Sequence, residues 1–80
     1  MNIDKAIKTR IYEILNEKGL SLTALCLNSN ITPSTIFDFM SEKSKCPKVI
    51  TIKKLCAGAG ITLAEFFDRE YFNDTDDIYN

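Results

Sequence analysis

Lysines are the side chains of this sequence whose spacing most directly suggests a chemistry. Lys43, Lys45 and Lys48 follow one another closely, and Lys53 and Lys54 come a few residues later. Several ammonium groups on one surface neutralise phosphates and supply affinity for a polyanion that does not depend on its sequence. A solvated surface loop is the alternative explanation for the same run. The lysines therefore indicate either a phosphate-binding surface or an ordinary charged loop.

The sequence lacks the residue types on which much catalysis depends. It has no histidine, and its three cysteines form no Cys-x-x-Cys pair, so a tetrahedral zinc site would need a carboxylate as its fourth ligand. We can place no pair of nucleophile and general base. We therefore predict that the protein is not an enzyme and has no catalytic residues, no metal and no cofactor.

The three cysteines differ in their surroundings. Cys26 and Cys56 fall on apolar faces, which indicates inert core positions. Cys46 lies between Lys45 and Lys48, and positive neighbours favour the thiolate. An odd number of cysteines fits reduced thiols and a cytoplasmic location. No apolar run approaches the roughly 20 residues of a membrane span, so we expect no membrane partner.

The charges are separated along the chain although they nearly cancel. The formal net charge is −1, but residues 1–54 hold nine Lys or Arg against five Asp or Glu. Residues 55–80 hold one Arg against six Asp or Glu. This division predicts a basic body with an acidic tail, and we place the boundary between a domain over residues 1–72 and a tail over residues 73–80.

Apolar spacing and capping residues predict five helices. An apolar stripe, with Asp4 paired to Lys8 on the opposite face, marks the first helix, and Gly19 fits the position after its last turn. Four later joints place an apolar residue before Ser or Thr and another apolar residue five positions after the first, as in a capped helix start. These joints begin at Leu20-Ser21, Ile31-Thr32, Ile50-Thr51 and Ile61-Thr62. The predicted helices span about residues 4–18, 22–28, 33–41, 52–59 and 63–68, and no segment alternates like a strand.

The break between the second and third helices has its own physical reason. Asn28-Ser29-Asn30 interrupts two short apolar stretches, and Asn30 tolerates the left-handed conformation that a sharp turn requires. Pro33 fits the first position of the next helix, where its missing N–H is not needed. Two short helices joined by such a turn form a helix-turn-helix.

Residues 22–41 resemble the helix-turn-helix of the Cro and phage-repressor (XRE) type. That family has a small residue within its second helix, a Gly-like residue in the turn and apolar residues on the inner face of its third helix. The matching positions here are Cys26, Asn30, Ile31, Ile36 and Phe39. Residues 51–67 continue the likeness, which with the first helix covers about residues 5–68. The resemblance implies an all-α, compact five-helix, lambda-repressor-like DNA-binding domain with a short acidic C-terminal tail.

The chain departs from the family pattern at three places. Leu22 stands where the family often has a Gln that touches a phosphate. Asp38 stands where an Arg or another donor is common, and Ser41-Glu42 replaces a common Asn-Gly after the third helix. Two acidic side chains therefore lie on the side that the resemblance assigns to DNA.

The resemblance implies that the start of the third helix enters the major groove, with Ile36 and Phe39 facing inward. The predicted base contacts are Thr32, Ser34, Phe37 and Asp38, and the predicted backbone contacts are Thr23, Thr35, Ser41, Lys43, Lys45 and Lys48. Structural explanations stay open for Thr32 as a cap, Thr35 as a first-turn residue and Asp38 as a solvated charge.

The C-terminal part carries more aromatic surface than a core of this size needs. In the family it resembles, the fifth helix and the residues after it often pair two subunits across half-sites one turn apart. We therefore predict a homodimer whose interface includes Phe67, Tyr71 and Phe72. Ile78 and Tyr79 belong to the same apolar set, and the segment could instead hold a different protein partner.

These observations predict sequence-specific binding to double-stranded DNA by a small, dimeric transcriptional regulator. Its recognition helix would span about residues 33–41. The alternative is a protein-interaction module of the same fold, antitoxin- or anti-repressor-like, with little DNA binding. The lysines favour DNA, whereas Asp38, Glu42 and the net charge of −1 favour the alternative.

Overall fold

The computed structural model describes residues 1–43 and 45–77, and within them the chain forms helices and no strand. The five α-helices are α1 (Ile3–Lys18), α2 (Leu22–Asn28), α3 (Pro33–Met40), α4 (Val49–Ala59) and α5 (Leu63–Phe67). A single 3-10 turn, Glu70–Phe72, follows α5. The predicted all-α, five-helix architecture is confirmed.

Capping side chains start α2 and α5 as predicted. The Ser21 hydroxyl accepts from the Ala24 N–H at 3.1 Å. At α5 a full capping box forms, because Thr62 accepts from the Glu65 N–H at 3.0 Å and Glu65 accepts from the Thr62 N–H at 2.9 Å. The hydrogen bond that the Thr62 N–H donates to the carboxylate lowers the pKa of Glu65. Thr32 stands at the predicted cap of α3 but makes no capping hydrogen bond with its side chain.

The predicted start of α4 is wrong. Thr51 does not cap this helix, which begins at Val49 after Lys48 and so includes three residues that were expected to precede it. The Thr51 N–H donates to the Lys48 carbonyl at 3.0 Å, within the first turn. The physical reason is that no residue between Pro47 and Thr51 strongly disfavours a helix, since Val and Ile are only modestly less favourable than Ala.

All five helices contribute to one core. The apolar stripe of α1 is confirmed, with Leu15 half-buried at its edge. The large side chains with less than 2 % exposure include Phe39 from α3 and Phe66 from α5. The core cluster consists of Ile7, Ile11, Ile14, Leu25, Cys26, Ile36, Phe39, Ile52, Leu55, Cys56, Ala59 and Phe66. The predicted core positions of Cys26 and Cys56 are thus confirmed.

The turn between α2 and α3 takes the predicted geometry. Asn30 adopts a left-handed conformation with φ of 56°. The Ile31 N–H then donates to the Cys26 carbonyl at 2.9 Å, which satisfies a backbone oxygen at the end of α2. A backbone hydrogen bond therefore holds the turn of the helix-turn-helix against the end of α2.

The end of α2 packs on the last turn of α4 at a point where no side chain fits. A Cβ added to Gly58 would lie 2.9 Å from both the Cα and the backbone nitrogen of Ser29, and closer still to its hydroxyl. Ser29 is buried, and its hydroxyl donates to the Leu25 carbonyl at 2.6 Å. Gly58 is therefore a packing residue that lets two helix backbones approach.

A buried arginine joins α1 to α5. Arg10 is only 3 % exposed, and its Nε donates to the Phe66 carbonyl at 2.7 Å while Nη2 donates to the Glu65 carbonyl at 3.0 Å. These carbonyls lie near the end of α5, where a positive charge also meets the negative end of the helix dipole. Glu13 and Glu17 lie 3.5 and 3.9 Å from Nη1 and balance the buried charge.

The segment after α5 is attached to α1 by polar contacts. Arg69 Nε lies 3.3 Å from Glu13 Oε1, and the Tyr71 hydroxyl donates to the same oxygen at 2.7 Å. Phe72 packs against the core, with its ring centroid 5.0 Å from that of Phe67. Of the three predicted interface residues, Phe67 is exposed, whereas Tyr71 and Phe72 are half-buried within their own chain.

The described part of the acidic tail returns to the start of α1. The Asp76 N–H donates to the Met1 carbonyl at 3.2 Å, and an oxygen of Asp77 accepts from the Ile3 N–H at 2.7 Å. A carboxylate there is favoured by the positive end of the helix dipole. The predicted division after Phe72 stays a prediction, and the predictions for Ile78 and Tyr79 concern residues outside the described part of the chain.

Substituting Gly58 with Ala tests the contact between α2 and α4. Helix propensity alone would make Gly58→Ala stabilising by roughly 1 kcal/mol. The lack of space predicts the opposite sign, a loss of about 1–3 kcal/mol in the free energy of unfolding. Urea denaturation followed by circular dichroism measures this. Ala57→Gly, an exposed neighbour, reports propensity alone, and a Gly58→Ala protein more stable than wild type would contradict the packing assignment.

The Tyr71 hydroxyl predicts a loss of stability at alkaline pH. Desolvation, together with the hydrogen bond to Glu13 and its charge, raises the pKa of Tyr71 to about 12. The pKa of Tyr71 in the folded protein is thus above the ordinary value of about 10. The protonated hydroxyl therefore stabilises the fold below about pH 10, and this stabilisation is lost as the pH rises towards about 12. Urea denaturation of wild type and Tyr71→Phe should therefore give a stability difference that shrinks over this range. An equal difference at neutral and alkaline pH would show that Tyr71 contributes nothing through its proton.

Candidate nucleic-acid interface

The outer side of α3 is exposed and polar, as predicted. Ile36 and Phe39 are buried, which turns the opposite side of the helix to solvent. Among the predicted contacts, the residues exposed on α3 or at its ends are Thr32, Ser34, Thr35, Phe37, Asp38 and Ser41. The structure therefore brings all of the predicted contacts of this segment onto one short helix and its caps.

Phe37 is the apolar member of this surface. Its side chain is 45 % exposed, although Phe39 two residues later is fully buried. A single exposed aromatic ring is not unusual in itself. Its position in the middle of a polar helix face nevertheless makes it the largest apolar contact that α3 offers to a partner.

The hydroxyl of Ser41 is already used inside the helix. It lies 2.8 Å from the Phe37 carbonyl and 3.3 Å from the Asp38 carbonyl, and it donates its hydrogen to them. Only its lone pairs are left for a partner, and phosphate oxygens are acceptors as well. Ser41 would have to break this hydrogen bond to donate to a phosphate.

The remaining predicted backbone contacts lie on two other segments. Thr23 is exposed in the first turn of α2. Lys43, Lys45 and Lys48 are exposed between α3 and α4, and the Lys43 N–H donates to the Asp38 carbonyl at 2.8 Å. This hydrogen bond fixes the start of the lysine segment at the end of α3. Lys53 and Lys54 are exposed on α4 and add to the positive charge.

Two lysines of α1, which sequence reasoning did not assign to the site, line a groove beside this segment. The open groove has a volume of about 450 Å³ and lies between the start of α1 and the residues that follow α3. Its lining residues are Asn2, Asp4, Lys5, Lys8, Glu42, Lys43 and Lys45. The i,i+3 spacing of Lys5 and Lys8 indicates that they are neighbours on one face of α1. Nothing in the local sequence indicates that this part of α1 lies beside the end of α3.

Lys8 makes a different ion pair from the expected one. The sequence paired it with Asp4, whereas in the structure its Nζ lies 3.5 Å from Glu42 Oε1 and 5.1 Å from the centroid of the Phe39 ring. Glu42 itself has a left-handed backbone with φ of 66°. A bulky residue in that conformation is strained relative to glycine.

The expectation that the neighbouring lysines favour the thiolate of Cys46 is wrong, because the pKa of this thiol is raised. The thiol is exposed and lies between lysines, but desolvation and then the charge and hydrogen bond of the Asp4 carboxylate raise its pKa. The physical reason is a contact across the fold, since α1 brings Asp4 to the segment that carries Cys46. The two lysines do not outweigh these effects, so Cys46 is not a stabilised thiolate.

The described residues contain no group of three or more metal-ligating side chains. Within the same part of the chain, none of the helices combines the length and the apolar character needed to cross a membrane.

The comparisons with known proteins identify the class of protein. The family model HTH_3, described as helix-turn-helix, matches residues 11–66. This span is more than half of the chain, and the chain therefore belongs to the HTH_3 (XRE-type) helix-turn-helix family. The family is one of DNA-binding regulators and not of enzymes. The resemblance to the phage-repressor type is thus confirmed.

A solved structure supports the same fold. The chain is similar to the protein described as "Crystal structure of the prophage Lp1 protein 11", with a TM-score of 0.78 and 24 % sequence identity. The match covers 88 % of this chain and 92 % of that one. No curated protein sequence gives a significant match.

The Asp4 contact predicts how the Cys46 thiol reacts. Removing the negative charge in Asp4→Asn should lower the pKa of Cys46, and the pH at which its alkylation by iodoacetamide is half-maximal should fall. Cys26 and Cys56 are buried and should react only on unfolding. Asp68→Asn removes an exposed acid elsewhere and serves as the control. An unchanged alkylation profile in Asp4→Asn would contradict the assigned contact.

Proposed function

We propose that this regulator binds double-stranded DNA in a sequence-specific manner, with α3 in the major groove. The observation that carries the proposal is the exposed outer side of α3, polar except for Phe37, at the start of a lysine segment on the family's fold. A helix of this kind fits the major groove and presents its first residues to base edges. The protein would act on genes in the cytoplasm.

The proposed base contacts are those of different chemical types on α3. The hydroxyls of Thr32 and Ser34 donate to or accept from base edges, and the Phe37 ring packs against a thymine methyl group. The Asp38 carboxylate accepts from a cytosine amino group. Exposure of all four side chains supports this assignment, and the free hydroxyl of Thr32, which caps nothing in the structure, is available for it.

The proposed backbone contacts come from the residues around α3. Lys43, Lys45 and Lys48 neutralise phosphates, and the hydroxyls of Thr23 and Thr35 add hydrogen bonds. Ser41 is the weakest member of the set, because its hydroxyl hydrogen is donated to the carbonyls of Phe37 and Asp38. Such contacts position the helix and carry most of the affinity, while the base contacts carry the specificity.

We propose that two subunits bind together, each placing α3 on one half-site. Phe67 is the centre of the proposed interface, because its ring is exposed while packed against Phe66 and Phe72 at 4.8 and 5.0 Å. Tyr71 and Phe72, which are half-buried, complete the proposed interface. Two-fold symmetry then requires a symmetric operator.

The alternative, a protein-interaction module, keeps one observation in its favour. Asp38 and Glu42 place exposed negative charge on and just after the helix that carries the exposed Phe37 ring, and a protein partner tolerates that combination better than a phosphate backbone does. In this alternative α3 and the C-terminal aromatic segment would hold a protein and DNA binding would be weak.

Selection from random DNA duplexes tests the proposal. We expect enrichment of a two-fold symmetric site, bound by two chains, with affinity that falls by orders of magnitude between about 50 and 200 mM salt. Phe37→Ala should weaken binding to the enriched site more than to random duplex. Lys45→Gln should weaken both equally and reduce the salt slope by about 0.9.

The control for Phe37→Ala is Tyr12→Ala, which truncates an exposed aromatic residue of α1 outside the proposed interface. It should leave both affinities unchanged. If no sequence is enriched and binding does not depend on salt, the DNA-reading proposal fails and the protein-interaction alternative is favoured.

A further inference from the structure

We propose that the groove between the start of α1 and the end of α3 is an additional binding site for a DNA backbone phosphate, and that Glu42 competes with this phosphate for Lys8. The inference rests on the proposed function. It extends the DNA interface from the α3–α4 segment onto α1. It also makes Glu42 a residue within the DNA interface that lowers the affinity for DNA.

The groove joins lysines from two parts of the chain. Lys5 and Lys8 come from α1, and Lys43 and Lys45 come from the segment after α3. The acids that line the same groove are Asp4 and Glu42, so the lysines outnumber them by four to two. Lys43 and Lys45 are also proposed backbone contacts, and a phosphate strand that meets them therefore runs past the mouth of the groove.

Lys8 is the anchored cation of this site. Its side chain is only 13 % exposed, and its ammonium group lies over the Phe39 ring, 5.1 Å from the centroid. Phe39 belongs to the core of α3, so the position of this charge is tied to the position of the recognition helix. A fixed ammonium group binds an anion without first losing the conformational freedom of an exposed lysine.

Glu42 is the movable partner. Its side chain is 81 % exposed, and its only ion pair among the described residues is the 3.5 Å contact with Lys8 Nζ. An exposed carboxylate returns to water at little cost. Lys8 has little surface on which water replaces the lost partner, and a phosphate oxygen in the groove supplies the missing negative charge.

The backbone at position 42 supports a functional reason for the acid. The N–H groups of Glu42 and Lys43 donate to the carbonyls of Phe39 and Asp38 at 3.1 and 2.8 Å, which forces the left-handed conformation at Glu42. Glycine adopts that conformation without strain. A strained residue beside a proposed binding surface motivates a functional hypothesis, and here the side chain that causes the strain is the one that masks Lys8.

The test compares the full-length protein with three variants on one short, fluorescein-labelled duplex of mixed sequence. Glu42→Gln keeps the size and the backbone conformation but releases Lys8. Glu70→Gln makes the same change in net charge at an exposed position of the 3-10 turn. The third variant combines Glu42→Gln with Lys8→Gln. Fluorescence anisotropy measures affinity at several salt concentrations between about 50 and 200 mM.

We expect Glu42→Gln to bind about two- to fivefold more tightly than wild type, the factor that corresponds to an exposed ion pair. Its salt slope should steepen by up to about 0.9, the value for one full phosphate contact, because Glu42 no longer competes for Lys8. Glu70→Gln should keep the wild-type slope. In the double variant both gains should disappear, because the phosphate has lost its cation.

Two results would overturn the inference alone: equal behaviour of Glu42→Gln and Glu70→Gln, which would indicate a general effect of net charge, or a gain that persists in the double variant. If no variant shows salt-dependent binding, the proposed function itself fails and takes this inference with it.

Discussion

The structure depends on how closely the backbone at the end of α2 approaches the backbone in the last turn of α4. Ser29 and Gly58 meet where a single methyl group would already collide with main-chain atoms. Ile31 lies in the turn just before α3, and its N–H is hydrogen-bonded to the Cys26 carbonyl in the last turn of α2. The placement of α2 therefore also places α3. A two-residue contact between helices therefore determines where the polar face of α3 points.

This arrangement explains why α3 carries so few core residues. Ile36 and Phe39 are its only buried side chains, and a helix of eight residues held only by them would be weakly fixed. The turn and the α2–α4 contact supply the remaining restraint, which leaves the other side of α3 free for a partner. Arg10 serves a similar purpose for α5, since a helix of only five residues needs its terminal carbonyls satisfied from outside.

The sequence predicts the features that depend on neighbouring residues. Caps at Ser21 and Thr62, the left-handed Asn30 and the apolar stripe of α1 all follow from local chemistry, and these were enough for the fold class and the exposed side of α3. The contacts that it does not predict join distant residues. Arg10 with the end of α5, Gly58 with Ser29, and Asp4 with Cys46 depend on which helices become neighbours, and no periodicity encodes that. The early start of α4 was missed because Thr51 satisfies the local rule for a cap although the chain does not use it.

The same distinction applies to the charges around the candidate site. In the sequence, Glu42 is one acid in a basic segment, and its negative charge would weaken a DNA-binding surface. In the structure it is the partner of a largely buried lysine from another helix, held over the ring of a core residue of α3. The acid pairs Lys8 in this structure, and under the proposed function its exposure would allow a phosphate to replace it. In the sequence the charge of Glu42 argues against DNA binding. In the structure the same charge is compatible with a DNA-binding surface whose affinity is lowered by the Glu42 side chain.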